Sequence, residues 1–133
     1  MPYLHFVISP PPTAAEAESI AAGLLRHTRD ILGKRPDVTS IRLGGAATDH
    51  WFVGAEPVAS THRTTFFLEI KVTQGTNSDD EKSRYIAAVF NEIEALRGDV
   101  DPASYVVVHD VDSAAWGYGG VTQQQRLARR QSA

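Results

Sequence analysis

The chain writes one pattern twice, and that repetition limits its possible folds more than any other feature. Each half runs strand, turn, capped helix, glycine stop, proline turn, strand and an aromatic–glycine segment. The shift is about 64 residues, setting Leu4 on Leu68, Gly33 near Gly98 and Ser40 on Ser104. In the first half Leu4, Phe6 and Ile8 alternate with His5 and Ser9, which is the period of a strand. Pro10, Pro11 and Pro12 stop the ladder, because a proline has no N–H to give it. Thr13 and Glu16 have the spacing of a capping box, and Ile20, Leu24 and Ile31 recur at helical intervals over about residues 14–32. Gly33 is placed to end that helix and Pro36-Asp37 to turn the chain. A short β-branched strand over residues 38–43 follows, and Gly44-Gly45 are expected to break it. Residues 49–54 read as a brief third strand or hairpin, and residues 56–63 as a connector.

The second half begins with the strongest strand signal, residues 64–73, β-branched and aromatic almost throughout. After the turn at residues 74–77, Ser78 and Glu81 repeat the capping-box spacing, and Tyr85, Ile86, Val89, Phe90, Ile93 and Leu96 trace an apolar helical stripe. Gly98 stops it, Asp101-Pro102 turns, and residues 105–108 form the last major strand. Trp116-Gly117-Tyr118-Gly119-Gly120 comes next, and the basic end of the chain reads as a frayed helix or a disordered terminus.

Two right-handed βαβ units in tandem predict an α/β (α+β) fold: a four-stranded mixed sheet with both helices on one face. The expected organisation is a single domain over residues 1–133, with halves of about 2–54 and 65–120 and a tail from 121 to 133. Phe67, Leu68 and Ile70 cannot all face the helices, so the uncovered face carries apolar surface and calls for a partner. Composition removes several functions. The absence of cysteine excludes disulfides, thiol catalysis and thiolate metal sites and suits a cytoplasmic location. A net charge of −3 without a basic face argues against nucleic acid. No stretch approaches the roughly 18 apolar residues of a membrane span. The five histidines show no metal-ligand spacing.

The residue with most chemical promise is Pro2. Removal of Met1 is expected ahead of a small residue, and it leaves a proline with a secondary amine able to act as base or nucleophile. The strand that follows would pin that amine in place.

Pro2 behind Met1, the tandem βαβ over about residues 2–120, Thr39-Ser40-Ile41-Arg42, Gly33-Lys34-Arg35-Pro36 and Trp116-Gly117-Tyr118-Gly119-Gly120 together resemble the tautomerase superfamily. That superfamily contains 4-oxalocrotonate tautomerase, macrophage migration inhibitory factor, malonate semialdehyde decarboxylase and the cis-3-chloroacrylic acid dehalogenases. The resemblance implies a homotrimeric barrel with a site at each Pro2, near subunit boundaries, and a reaction without cofactors on a small carboxylate substrate. It makes Pro2 the general base and acid and Arg42 the partner of the substrate carboxylate. Lys34, Trp116 and Tyr118 become substrate-binding residues, with Trp51 a further wall from the matching end of the first repeat. His27 reads as structural and Asp37 as a turn aspartate beside Pro36.

Departures from the resemblance bear on the reaction class. The turn at residues 73–77 carries no arginine, Ala115 stands where the dehalogenase has a water-activating glutamate, and Val106 and Val108 replace polar residues. Keto–enol tautomerisation of a small 2-keto acid is therefore the leading expectation. A Pro2-dependent hydratase, dehalogenase or decarboxylase, and a catalytically weak trimeric binding protein, are the alternatives.

Overall fold

The computed structural model of the chain describes residues 2–132. The first repeat comprises β1 (Tyr3–Ser9), α1 (Ala14–Asp30), β2 (Ser40–Gly45), the hairpin strands β3 (Phe52–Val53) and β4 (Glu56–Pro57), and a one-turn helix α2 (Val58–Thr61). The second comprises β5 (Thr65–Thr73), α3 (Asp79–Arg97), β6 (Tyr105–Val111), the hairpin strands β7 (Gly117–Tyr118) and β8 (Val121–Thr122), and α4 (Gln123–Ser132). The four long strands lie in the order β2-β1-β5-β6. β1 pairs with β2 in parallel and β5 with β6 in parallel, while β1 and β5 meet antiparallel at the centre. This is the mixed sheet that two tandem βαβ units require.

Alternation decides which face is covered. Leu4, Phe6, Ile8, Phe66, Leu68, Ile70 and Val72 are buried with Ile20 and Leu24 of α1 and Tyr85, Val89 and Ile93 of α3. Both helices thus cover one face. Each is started by a complete capping box: Glu16 N–H donates to Thr13 Oγ1 at 3.1 Å and Thr13 N–H to Glu16 at 3.0 Å. Ser78 and Glu81 repeat the exchange at 3.1 and 2.8 Å. Inside the core the Tyr85 hydroxyl meets Thr28 Oγ1 at 2.9 Å. Burial pushes that phenol up to about 12, although the Thr28 contact acts the other way.

Several boundaries differ from those expected. α1 ends at Asp30, with Ile31 as its cap, because Ile31 and Gly33 donate back to His27 and Arg29 while the chain turns out. Residues 36–38 form a 3₁₀ turn, so β2 begins two residues late, at Ser40. Gly44-Gly45 do not break β2 but extend it alongside Val7 and Ile8. A Cβ on Gly45 would stand 2.6 Å from Pro11 Cβ, so the missing side chain lets the proline corner pack against the strand end. β6 runs on to Val111, and the connector at residues 56–63 contains β4 and α2. The basic stretch from 126, expected as a frayed helix end or a disordered terminus, is helical as part of α4 up to Ser132, and the residues before it form β8; Ala133 lies outside the described residues.

The repeat reaches further than its strands and helices. The unit β3-β4-α2 recurs 65 residues later as β7-β8-α4, with matching hydrogen bonds. Val58 N–H donates to the Trp51 carbonyl at 2.9 Å and Gln123 N–H to the Trp116 carbonyl at 3.0 Å.

The uncovered face is apolar at one end only. Its cross-strand rows are Gly44–Val7–Phe67–Tyr105, then Arg42–His5–Glu69–Val107, then Ser40–Tyr3–Lys71–His109. Of Phe67, Leu68 and Ile70, only Phe67 lies there; the other two are core. The apolar row sits far from Pro2 and the charged rows sit near it.

Candidate active site

Pro2 is buried at the head of β1, where its carbonyl accepts the Ser40 N–H at 3.3 Å. β5 and β6 run opposite to β1, so both finish at the end of the sheet where Pro2 starts it. The β7–β8 hairpin leaves β6 there and folds back over the sheet end. Gly119 and Gly120, with φ of 61° and 77°, make its two-residue turn, a conformation with positive φ at both positions that glycine takes without strain. A Cβ on Gly117 would fall 2.1 Å from the Val121 carbonyl oxygen, so the hairpin closes only with glycine at that position. The indole Nε1 of Trp116 donates to Thr73 Oγ1 at 3.2 Å and holds the hairpin to the end of β5.

The result is a cavity of about 340 Å³ lined by Pro2, Tyr3, Val38, Ser40, Lys71, Trp116, Gly117, Tyr118 and Gln123. Its walls are mostly apolar and aromatic. Trp116 and Tyr118 stand against Pro2 within one chain, as walls of the same space.

Lys71 supplies the cation, and the sequence reading did not single it out. It lies cross-strand from Tyr3 and pairs with Glu69 on the same face, with His109 Nε2 at 3.8 Å from the same carboxylate. The hydrogen bond from Lys71 holds the Glu69 carboxyl below its usual range, with smaller help from the charges of Lys71, His109 and His5. Gln123 was also unforeseen. It is 7% exposed and its Nε2 has no hydrogen-bond partner among the described residues. The first repeat carries Val58 at the matching position, and that polar-for-apolar exchange is the signal the sequence offered.

The other expected site residues are distributed differently. Arg42 lies on the uncovered face two residues beyond Ser40, on the edge strand β2, exposed and outside the lining of this cavity. Lys34 is 8% exposed and lines an adjoining space rather than this one. Its ammonium donates to Thr76 Oγ1 at 2.8 Å, and burial pulls its pKa down against the opposing charges of Glu81 and Asp110. Trp51 belongs to the β3 end of the first repeat, at the opposite end of β1 from Pro2, so within one chain the two do not meet. His27 meets Glu92 at 2.8 Å between the two long helices, and Asp37 pairs with Arg35 at 2.6 Å. Among the described residues no group of three or more His, Asp or Glu could hold a metal ion, and no helix is long and apolar enough to cross a membrane.

No protein-family profile and no curated protein matches the sequence. Solved structures do match the fold. The F6 fused 4-OT wild-type asymmetric trimer superposes with a TM-score of 0.79 at 20% identity, over 92% of this chain and 96% of that one. Pt0534 inactivated by 2-oxo-3-pentynoate gives 0.80 at 13% identity, over 92% and 96%. The macrophage migration inhibitory factor-like protein of Entamoeba histolytica gives 0.75 at 16% identity, over 91% and 97%. A tandem βαβ chain whose mixed sheet carries two capped helices on one face, matched over about nine-tenths of its length by these structures, has the fold of these 4-OT and macrophage migration inhibitory factor-like proteins.

Proposed function

We propose that the chain is a cofactor-independent keto–enol tautomerase of a small 2-keto acid, with the Pro2 amine as general base and acid once Met1 is removed. The observation that carries this is the burial of Pro2 in an aromatic-walled cavity that also holds one cation, Lys71. In ketonisation the Pro2 nitrogen takes the enol hydroxyl proton, the electron pair moves through to the carbon, and the proton is returned there. The nitrogen ends as it began, and no oxidant, reductant or water is consumed. Trp116 and Tyr118 exclude water, and Lys71 offers its charge to the substrate carboxylate or to the developing enolate. A structural relative, Pt0534, is inactivated by the small 2-oxo acid 2-oxo-3-pentynoate, which is consistent with that substrate class.

Arg42 enters this reading from a second subunit. β2 is an edge strand, and Arg42 stands on its uncovered face beyond the reach of its own cavity. The structural relatives include trimers, and a homotrimer built on the uncovered faces would bring Arg42, and Trp51 from the same neighbour, towards a partner's Pro2. Lys34 belongs to the same substrate-binding surface through the adjoining space.

The test is ketonisation of phenylenolpyruvate by protein whose N-terminus mass spectrometry shows to be Pro2. Pro2→Ala is expected to lower the rate by about 100-fold or more, the size of a lost general base. Equal rates in both proteins, or none in either, would overturn the proposal.

A further inference from the structure

A second cavity, of about 480 Å³, lies under α4, and Tyr118 and Gln123 line both it and the Pro2 space. Lys34, Arg35, Arg126, Arg129 and Arg130 line it, and no Asp or Glu does so among the described residues. This stands in a chain whose formal net charge is −3. Gathering cations around one space costs self-repulsion and creates a strongly positive local potential.

Arg126, Lys34 and Arg35 are held in place. The Arg126 guanidinium stacks 3.6 Å over the Tyr118 ring and donates through Nη2 to the Tyr118 carbonyl at 2.8 Å. The Lys34 ammonium has three donors, and Thr76 Oγ1 accepts from one. Arg35 is engaged by Asp37 and contributes least. Thr73, Thr76 and Ser113 add hydroxyls to the wall.

Two donors there have no acceptor among the described residues: Gln123 Nε2 and Arg126 Nε are both buried without a hydrogen-bond partner. The first repeat shows that packing does not require the glutamine. Val58, 2% exposed, occupies the equivalent place and makes the equivalent backbone bond to a tryptophan carbonyl. An amide replaces that valine only in the repeat where the cationic cavity forms.

We propose that this cavity binds a phosphate-type dianion, a phosphate or phosphonate group, carried at the far end of the 2-keto acid whose reacting carbon reaches Pro2. This deepens the tautomerase reading and rests on it for the identity of the other end of the ligand. A tetrahedral group with three accepting oxygens matches cations and hydroxyls arranged around a space, where a flat carboxylate would leave several donors unused. Tyr118 and Gln123 line both spaces, so the two ends adjoin at these residues.

The experiment is calorimetric binding to the full chain of 2-oxo-4-phosphonobutanoate, 2-oxohexanoate and inorganic phosphate. The phosphonate is expected to bind about tenfold or more tightly than 2-oxohexanoate, as charge-assisted hydrogen bonds require, and phosphate should displace it competitively. The preference should persist in Pro2→Ala and fall towards unity in the Arg126→Gln, Arg130→Gln double variant. Lys34→Met, checked for its fold by circular dichroism, is expected to lower it as well. Equal affinity for the two oxo acids, or phosphate binding that does not compete with the phosphonate, overturns the proposal. A preference retained alongside absent ketonisation would sink the catalytic reading and leave the anion subsite standing.

Discussion

The Trp116 indole donates its N–H to Thr73 Oγ1 at 3.2 Å, and this one bond joins the last residue of β5 to the hairpin that walls Pro2. The Gln123 N–H bond to the Trp116 carbonyl and the Arg126 bond to the Tyr118 carbonyl tie the hairpin to α4 as well. The indole bond is therefore one of the ties that hold the cavity wall.

Thr73→Val keeps the shape of the side chain and removes the acceptor. The half-buried indole N–H then lacks its bond, a loss of about 1–3 kcal/mol. Urea unfolding should show a lower midpoint with an unchanged slope, and phenylenolpyruvate ketonisation should fall as the wall loosens. An unchanged midpoint would show that the bond contributes nothing.

Lys71→Met removes the cation from the cavity and leaves Glu69 without the donor that lowers its pKa. The expected kinetic effect is a rise in KM of about tenfold, the cost of one charge-assisted contact, with Lys71→Arg recovering part of it. The Glu69 carboxylate also links stability to pH. Its folded pKa lies below the ordinary 4.5, so its contribution is present above that value and is lost as pH falls below it. The drop in urea midpoint on acidification below that point should be shallower in Lys71→Met than in the wild type.

Lys34 carries the opposite sign. Burial lowers its pKa from 10.5, so in the range just below that value the unfolded chain binds more protons and stability rises with pH. Lys34→Met is expected to unfold at a higher temperature than the wild type near neutral pH, with the gap narrowing as pH approaches 10.5. A gap that stays constant across that range would mean that the ammonium is not what costs the fold stability.

Tyr85→Phe removes the hydroxyl that meets Thr28 and should cost about 1 kcal/mol in urea unfolding. The phenol, raised to about 12 from 10.0, contributes stability in full below 10.0 and loses it as pH climbs through about 12. Tyrosinate absorbance of the folded chain should show one late-titrating tyrosine, absent in Tyr85→Phe. A wild type in which every tyrosine titrates near 10.0 would contradict the burial of this ring.

The capping boxes at Thr13–Glu16 and Ser78–Glu81, the alternation of β1 and the stripe of α3 were legible because each is a local rule, enforced within a few residues. The repeat was legible for the same reason, since two similar stretches with matching periods obey similar backbone chemistry. Their consequence, a mixed sheet under two helices, followed from the handedness of βαβ crossovers. What the sequence could not decide was pairing. Lys71 comes to the Pro2 cavity because the β1–β5 register sets it opposite Tyr3, and Arg42 stays outside because β2 begins at Ser40. Gly44-Gly45 continue a strand instead of ending it, since pairing with Val7 and Ile8 of β1 outweighs their local preference for a break. The polar, basic end of the chain has no apolar stripe to announce it, yet α4 forms where β8 delivers it and lines a cavity of the folded chain. Local periodicity and capping fix elements, because their energies are set by neighbours in sequence. Register and cavity walls arise from contacts between residues far apart in the chain, and only the folded molecule brings those together.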